Sequence, residues 1–171
     1  MKILSIAVPC YNSQDYMEHC VETLLTGGEK VEIIIVDDGS KDGTAEIADR
    51  LAEKYPTIIK AVHQENGGHG EAVNTGIKNA TGVFFKVVDS DDWLGEEALA
   101  TLLEKLEMFS NSGEDAVNVP DLVLCNYIYD KVGVKNKKVI NYKGYLPLNR
   151  TFTWKDVRKM PPGKYMTMHA C

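Results

Sequence analysis

Residues 31–40 read VEIIIVDDGS. Val31 to Val36 form a short, β-branched apolar run that ends at once in two carboxylates, a glycine and a serine, as a buried strand does when it opens into a turn. Downstream, Ile47, Ala48, Leu51, Ala52 and Tyr55 repeat at helical spacing and stop before Pro56, after which Ile58 to Val62 supply another strand. Upstream, residues 2–9 are a further continuous apolar run, Asn12 stands where a helix cap is needed, and Met17, Cys20, Val21, Leu24 and Leu25 form a stripe closed by Gly27 and Gly28. A glycine-rich loop through Gly70 leads to a third helix marked by Val73, Gly76, Ile77 and Ala80. A fourth strand at Val83 to Val88 and a fourth helix at Leu99, Leu102, Leu103 and Leu106 follow.

Strands and helices alternating at this spacing imply right-handed crossovers, so the chain is expected to be an α/β, Rossmann-like fold: a mainly parallel central sheet with helices on both faces. Ligands of such sheets bind beyond the carboxyl ends of the strands, and every unusual polar cluster of this sequence falls at such an end. Beyond residue 109 the pattern loosens. Ser110 to Pro120 reads as a polar connection, Leu122 to Tyr129 as a fifth strand, Val132 to Tyr142 as a hairpin strand, Trp154 to Lys159 as a short helix, and Pro161 and Pro162 as a turn. One domain is expected over 1–171, with a core at 1–130 and a partial extension at 131–171.

The 171 residues are 44% hydrophobic and 26% charged, enough to bury a core. Net charge is −6 and the basic residues are scattered, which argues against a nucleic-acid partner. Cys10, Cys20, Cys125 and Cys171 have neither metal-ligand spacing nor the density of a disulfide scaffold, so reduced thiols and a cytoplasmic setting are expected. The apolar run at the N-terminus is stopped by Pro9, and no stretch approaches the roughly 20 apolar residues of a membrane span.

The strongest chemical signal is Asp89-Ser90-Asp91-Asp92-Trp93, three carboxylates in four residues directly after a strand. Two like charges about 4 Å apart at a protein surface repel by up to roughly 4 kcal/mol, so a cation or a raised pKa would relieve the crowding. Mg2+ takes one or two carboxylates plus waters and substrate phosphates, which suits a short Asp-x-Asp segment. A capped, solvated turn is the plainer alternative. Asp37-Asp38-Gly39-Ser40 ends the second strand in the same way; acidic side chains there can accept bonds from ribose or a base N–H, or simply form an Asx turn.

Pro9-Cys10-Tyr11-Asn12 offers an aromatic face and an amide, with Tyr11 able to stack on a base or to fill the core. Asn66-Gly67-Gly68-His69-Gly70 lies at a helix N-terminus, where backbone N–H groups favour anions, and His69 either contacts a diphosphate or stands exposed. Val73 replaces the third glycine of a dinucleotide fingerprint, and no GxxxxGK loop occurs. Lys86 either points at phosphate or snorkels from its strand.

VPCYN at 8–12, VDDGSKDGT at 36–44, NGGHGEAVNTGI at 66–77 and VDSDDW at 88–93 occur in this order, each beside a strand end, and over residues 3–109 the chain resembles family 2 glycosyltransferases of the GT-A fold. The resemblance implies a nucleotide-sugar donor, with UDP expected, bound by Pro9, Tyr11, Asn12, Asp37, Asp38, Asn66, Gly67, Gly68, His69, Asn74, Asp89, Ser90 and Asp91. It further implies Mn2+ or Mg2+ on Asp89, Asp91 and Asp92, a saccharide or lipid-linked acceptor, inversion at the anomeric centre, and a role in cell-surface polysaccharide synthesis at the inner face of the membrane. The aspartate base of such enzymes lies downstream of the Asp-x-Asp segment. Here the only Glu-Asp dipeptide after Trp93 is Glu114-Asp115, in the polar connection, so the base stays unassigned. The uncharged ending at Cys171 leads us to expect a C-terminally truncated chain that binds donor and transfers poorly. Two alternatives stand beside this reading: a noncatalytic nucleotide-sugar-binding module, and a sugar-nucleotide nucleotidyltransferase, against which residues 10–16 lack glycine and basic residues.

Overall fold

The computed structural model describes residues 1–111, 119–130, 133, 137–147 and 149–157. These fall into two compact units, Met1–Glu114 and Asp115–Cys171.

The first unit is built on a four-stranded sheet in the order β3-β2-β1-β4, with every pairing parallel. The strands are β1 (Leu4–Cys10), β2 (Val31–Asp37), β3 (Ile59–His63) and β4 (Phe84–Val87). β1 and β2 occupy the middle. All of β1 and all of β2 but Glu32 are buried, so a strand covered on both faces gives an unbroken apolar run instead of an alternating one. Each fully buried Ile, Leu or Val here is worth about 1.5–3 kcal/mol.

The helices are α1 (Met17–Leu25), α2 (Thr44–Lys54), α3 (His69–Asn79) and α4 (Glu96–Ser110). α1 buries Met17, Cys20, Val21 and Leu24, and α4 buries Leu99, Leu103 and Leu106, each a stripe at i, i+3 or i+4 spacing. The walk β1-β2-β3 runs in one direction and the next crossover reverses past β1 to β4, so right-handed connections set α3 on the face opposite α1 and α2. α3 meets that face through small residues. Ala72 packs with Ile34 and Val36, and a Cβ built on Gly76 would stand 2.5 Å from the Cβ of Ala7. Of the stripe that the spacing predicts, Val73, Gly76, Ile77 and Ala80, Gly76 is buried and Ala80 packs on the same cluster, but Ile77 is exposed and Ala72 is buried instead, because a helix this close to the sheet leaves room only for small residues.

At the amino end of the sheet Glu32 is held by its neighbours. Its carboxylate accepts from the hydroxyls of Ser5 and Thr81 and from the amide N–H groups of Thr81 and Gly82. Partial burial pushes its pKa up, but these donors prevail and hold it below the ordinary carboxylate value.

The second unit contains β5 (Tyr127–Tyr129) paired antiparallel with β6 (Lys138–Ile140). Ile140, Tyr142 and Leu146 form its small core, against which Leu124, Tyr127, Tyr145, Phe152 and Val157 pack. The hairpin pairing agrees with the sequence, but the fifth strand is three residues long instead of spanning Leu122 to Tyr129. The expected helix at Trp154 is a single 3-10 turn, Trp154–Asp156, closed by the Asp156 carboxylate accepting from the amide and hydroxyl of Thr153. Pro161, Pro162 and the Glu114-Asp115 pair lie outside the described residues.

Candidate functional site

In the order β3-β2-β1-β4 the succession of strands switches sides between β1 and β4, and sheets of this kind take their ligands at such a switch point, in the crevice beyond the carboxyl ends of the strands. Four loops meet at that end: 10–14 after β1, 37–44 after β2, 64–69 after β3 and 88–92 after β4. Cys10 is in register with Asp37, and Asp37 with His63, so the ends of three strands are level.

The loops are stitched to one another by side chains. Asn12 does not cap α1, which starts only at Met17; it adopts a left-handed conformation with φ of 50° and its side chain accepts from the amide of Lys41 at 2.9 Å. Its own amide donates to Ser40 Oγ at 3.0 Å. Ser13 takes over at the entrance to the helix, its carbonyl accepting from the amides of Tyr16 and Met17. Ser13 is also buried, receives the amide of Tyr11 on its hydroxyl, donates its own amide to Thr44 Oγ1 at 2.7 Å, and pairs by hydroxyl with Ser90 at 2.9 Å. That last bond joins the loop after β1 to the acidic loop after β4.

The two acidic strand ends differ in their surroundings. Asp37 and Asp38 are buried. Asp37 accepts from the amide of Ser40 at 3.0 Å and faces His63 Nδ1 at 3.1 Å, while the other ring nitrogen of His63 faces Asp49 at 3.0 Å. The bonds to Asp49 and Asp37 raise the His63 pKa above its usual value, against a smaller opposing effect of burial. Asp38 takes three donors: Gln64 Nε2 at 2.7 Å and the amides of Gly67 and Gly68 at 2.8 Å each. Burial works to raise its pKa, but the Gly67, Gln64 and Gly68 donors outweigh that and hold it below the ordinary value. Gly39 makes the approach possible, since its φ is 69° and a Cβ there would lie 2.9 Å from the Asn66 nitrogen.

Asp89, Asp91 and Asp92 are exposed, with Ser90 buried between them. The carbonyl of Asp89 accepts from the amide of Asp92 at 2.9 Å and from the thiol of Cys20 at 3.7 Å, which bends the segment into a tight turn. Asp89 Oδ1 lies 2.9 Å from His69 Nε2 at the start of α3. Trp93 is half-exposed and meets the ring of His19 on α1 edge-on at 5.5 Å. Cys10 and Cys20 are buried, and burial pushes both thiols up to about 12, assisted at Cys10 by Asp37 and at Cys20 by Cys10 and the three aspartates. Pushed up this far, both thiols stay protonated near neutral pH and are poor nucleophiles.

Of the residues singled out in the sequence, Tyr11 is exposed at the crevice end and Pro9 sits in β1 paired with Val36. Asn66 is exposed, and Asn74 lies along α3 with its amide donating to Glu71 at 3.1 Å. Lys86 is buried in β4. Ser13, Thr44, Gln64 and His63 were not anticipated. A serine that follows Asn12 gives no local sign that its hydroxyl will bridge 77 residues to Ser90.

The family model for glycosyl transferase family 2 matches residues 5–144. The chain belongs to that family. Among its relatives, the protein named glycosyltransferase GlyG of Streptococcus pneumoniae is 38% identical over 133 residues, covering 76% of this chain and 41% of its own. The poly(ribitol-phosphate) beta-glucosyltransferase of Bacillus spizizenii is 41% identical over 103 residues, 58% of this chain and 16% of that one. Among solved structures, residues 1–349 of S. aureus TarS in complex with UDP-GlcNAc superpose with a TM-score of 0.53 at 32% identity, over 64% of this chain and 32% of TarS. The mannosyltransferase PcManGT of Pyrobaculum calidifontis, in complex with GDP-Man and Mn2+, gives a TM-score of 0.54 at 27% identity, over 64% of this chain and 32% of that one. The chain spans 33%, 15% and 41% of the length of three curated relatives it matches. Among the described residues, no helix is long and apolar enough to cross a membrane.

Proposed function

We propose that this chain carries the donor site of a metal-dependent, inverting glycosyltransferase that takes its sugar from a nucleotide sugar, UDP-linked, and passes it to a hydroxyl of a growing cell-surface polysaccharide on the cytoplasmic side of the membrane. The observation that carries the reading is the meeting of four loops at the switch point of a 3-2-1-4 sheet, with the exposed carboxylates of Asp89, Asp91 and Asp92 at its mouth. UDP-GlcNAc in TarS, GDP-Man and Mn2+ in PcManGT, and the polymer named for the Bacillus relative support it.

Tyr11 and Asn12 are suited to the base and Asp37 and Asp38 to the uridine side, where Asp38 also fixes the loop at Asn66, Gly67 and Gly68. Ser90 positions the acidic turn through Ser13. Among the described residues no group of three or more His, Cys, Asp or Glu side chains is arranged to hold an ion by itself. A Mg2+- or Mn2+-type cation needs no such cage, since one or two carboxylates suffice when phosphate oxygens and water complete the shell. Asp89, Asp91 and Asp92 supply oxygen donors of that kind, and the bound cation would offset charge on the leaving diphosphate. Inversion further requires a carboxylate base for the acceptor hydroxyl, which the described residues leave unassigned.

Isothermal titration of UDP and GDP, each with and without Mn2+, tests the reading on this chain and on Asp91→Ala. Mn2+-dependent UDP binding that weakens at least about 50-fold in the variant is expected. Failure of the unmodified chain to bind either nucleotide would overturn the proposal.

A further inference from the structure

We infer that His69 is a positioning residue for Asp89, holding one carboxylate oxygen so that the other is presented to the cation. The inference rests on the metal reading above and adds to it a residue and a division of labour.

Both partners of the 2.9 Å contact are mounted on fixed structure. His69 is the first residue of α3, and that helix is held at two points: Gly76 lies against Ala7 in the sheet, and the amides of Gly67 and Gly68, just before His69, are bound by buried Asp38. Asp89 is fixed by its carbonyl, which accepts from Asp92 and Cys20, and by its neighbour Ser90, whose hydroxyl is paired with Ser13. An ordinary exposed ion pair loses most of its value to side-chain freedom and solvent. Here the backbone on each side is ordered in advance, so the contact selects one rotamer of an otherwise exposed carboxylate.

The chemistry follows from the donor inventory. A carboxylate only accepts, so Nε2 of His69 must carry the proton, and both the Nε2–H neutral ring and the imidazolium satisfy that requirement. Among the described residues no other group bonds the Asp89 side chain, which leaves Oδ2 for a hard cation. Ligating carboxylates are routinely held by such partners, whose removal costs about 10- to 100-fold in metal affinity. This geometry uses His69 on the aspartate and not as a direct phosphate ligand.

The test is Mn2+ binding followed by the EPR signal of free Mn2+ at saturating UDP, beside calorimetric UDP binding without metal, for the unmodified chain, Asp91→Ala, His69→Ala and His69→Gln. Thermal melts check that each variant is folded. His69→Ala is expected to weaken Mn2+ about 10-fold and leave metal-free UDP binding unchanged, while Gln, which keeps an N–H donor at similar reach, restores most of the loss. Unchanged Mn2+ affinity in His69→Ala overturns the inference, as does a matching loss of metal-free UDP binding, which would make His69 a phosphate contact. Failure of Gln to rescue also overturns it. A Mn2+ site lost in Asp91→Ala but intact in His69→Ala removes this inference alone; Mn2+ binding indifferent to Asp91 removes the metal reading and this inference with it.

Discussion

Strand β2 and strand β4 both run out into consecutive aspartates, yet the two ends are put to opposite uses. After β2, Asp37 and Asp38 are buried and their oxygens are taken up by Ser40, His63, Gln64, Gly67 and Gly68. After β4, Asp89, Asp91 and Asp92 are exposed; the buried Ser90 between them ties the turn to Ser13, and Asp89 meets His69 through one carboxylate oxygen. The pair after β2 is drawn into the walls of the proposed donor site; the three carboxylates after β4 stand in water at its mouth. A buried carboxylate that accepts from backbone N–H groups contributes to folding, whereas an exposed one adds little to stability and meets a ligand more readily.

The contrast is broken most forcefully at Asp38. Asp38→Ala leaves two glycine amides and an amide side chain without their acceptor and is expected to destabilise the first unit by about 3 kcal/mol in urea denaturation. Asp91→Ala, in contrast, should shift stability by no more than about 0.5 kcal/mol, because an exposed carboxylate among like charges holds nothing together. Equal losses at the two sites would erase the distinction. Gly39→Ala sharpens it further: a left-handed φ and the Asn66 nitrogen at 2.9 Å should cost about 1–2 kcal/mol, again read as a lower urea midpoint.

A small, pH-dependent effect concerns His63. Its two ring nitrogens face two carboxylates, which accept only, so both contacts are satisfied only by the imidazolium. Its folded pKa is raised above the unfolded value near 6.5, so its contribution is fully present below about pH 6.5 and is lost as pH rises through the folded pKa. The ring is partly exposed, which limits the contribution to less than about 1 kcal/mol. Asp49→Asn should flatten the dependence of the melting temperature on pH between about 6 and 8; an unaltered slope would assign the titration elsewhere.

Most of the first unit was legible because strands buried on two faces and helices buried on one leave patterns that survive in a single sequence. Four strands and four helices stand where the apolar runs predict them. The failures share a cause. Gly76 and Ala80 stand in the stripe that the spacing predicts, but Ile77 is exposed and Ala72 is buried instead, because α3 approaches the sheet closely and approach distance is a tertiary quantity. Asn12 looks like a cap, but its side chain is claimed by an amide 29 residues away. Asp38 was readable as important and unreadable as a brace, since its partners come from a loop 26 to 30 residues further on. Leu122 to Tyr129 overstates β5 because a short apolar run does not reveal how much of it will find a partner strand.

The contact of Gly76 with Ala7 also makes α3 a lever. At about 1.5 Å of rise per residue, the seven residues from Gly76 back to His69 span about 10 Å of helix. A methyl group added at Gly76 would act as a shim at the fulcrum: the helix would have to lift or tilt away from Ala7, and the imidazole at its far tip would swing off the aspartate it reaches. The aim of a side chain at the mouth of the crevice is thus calibrated by a missing carbon two turns deeper in the molecule.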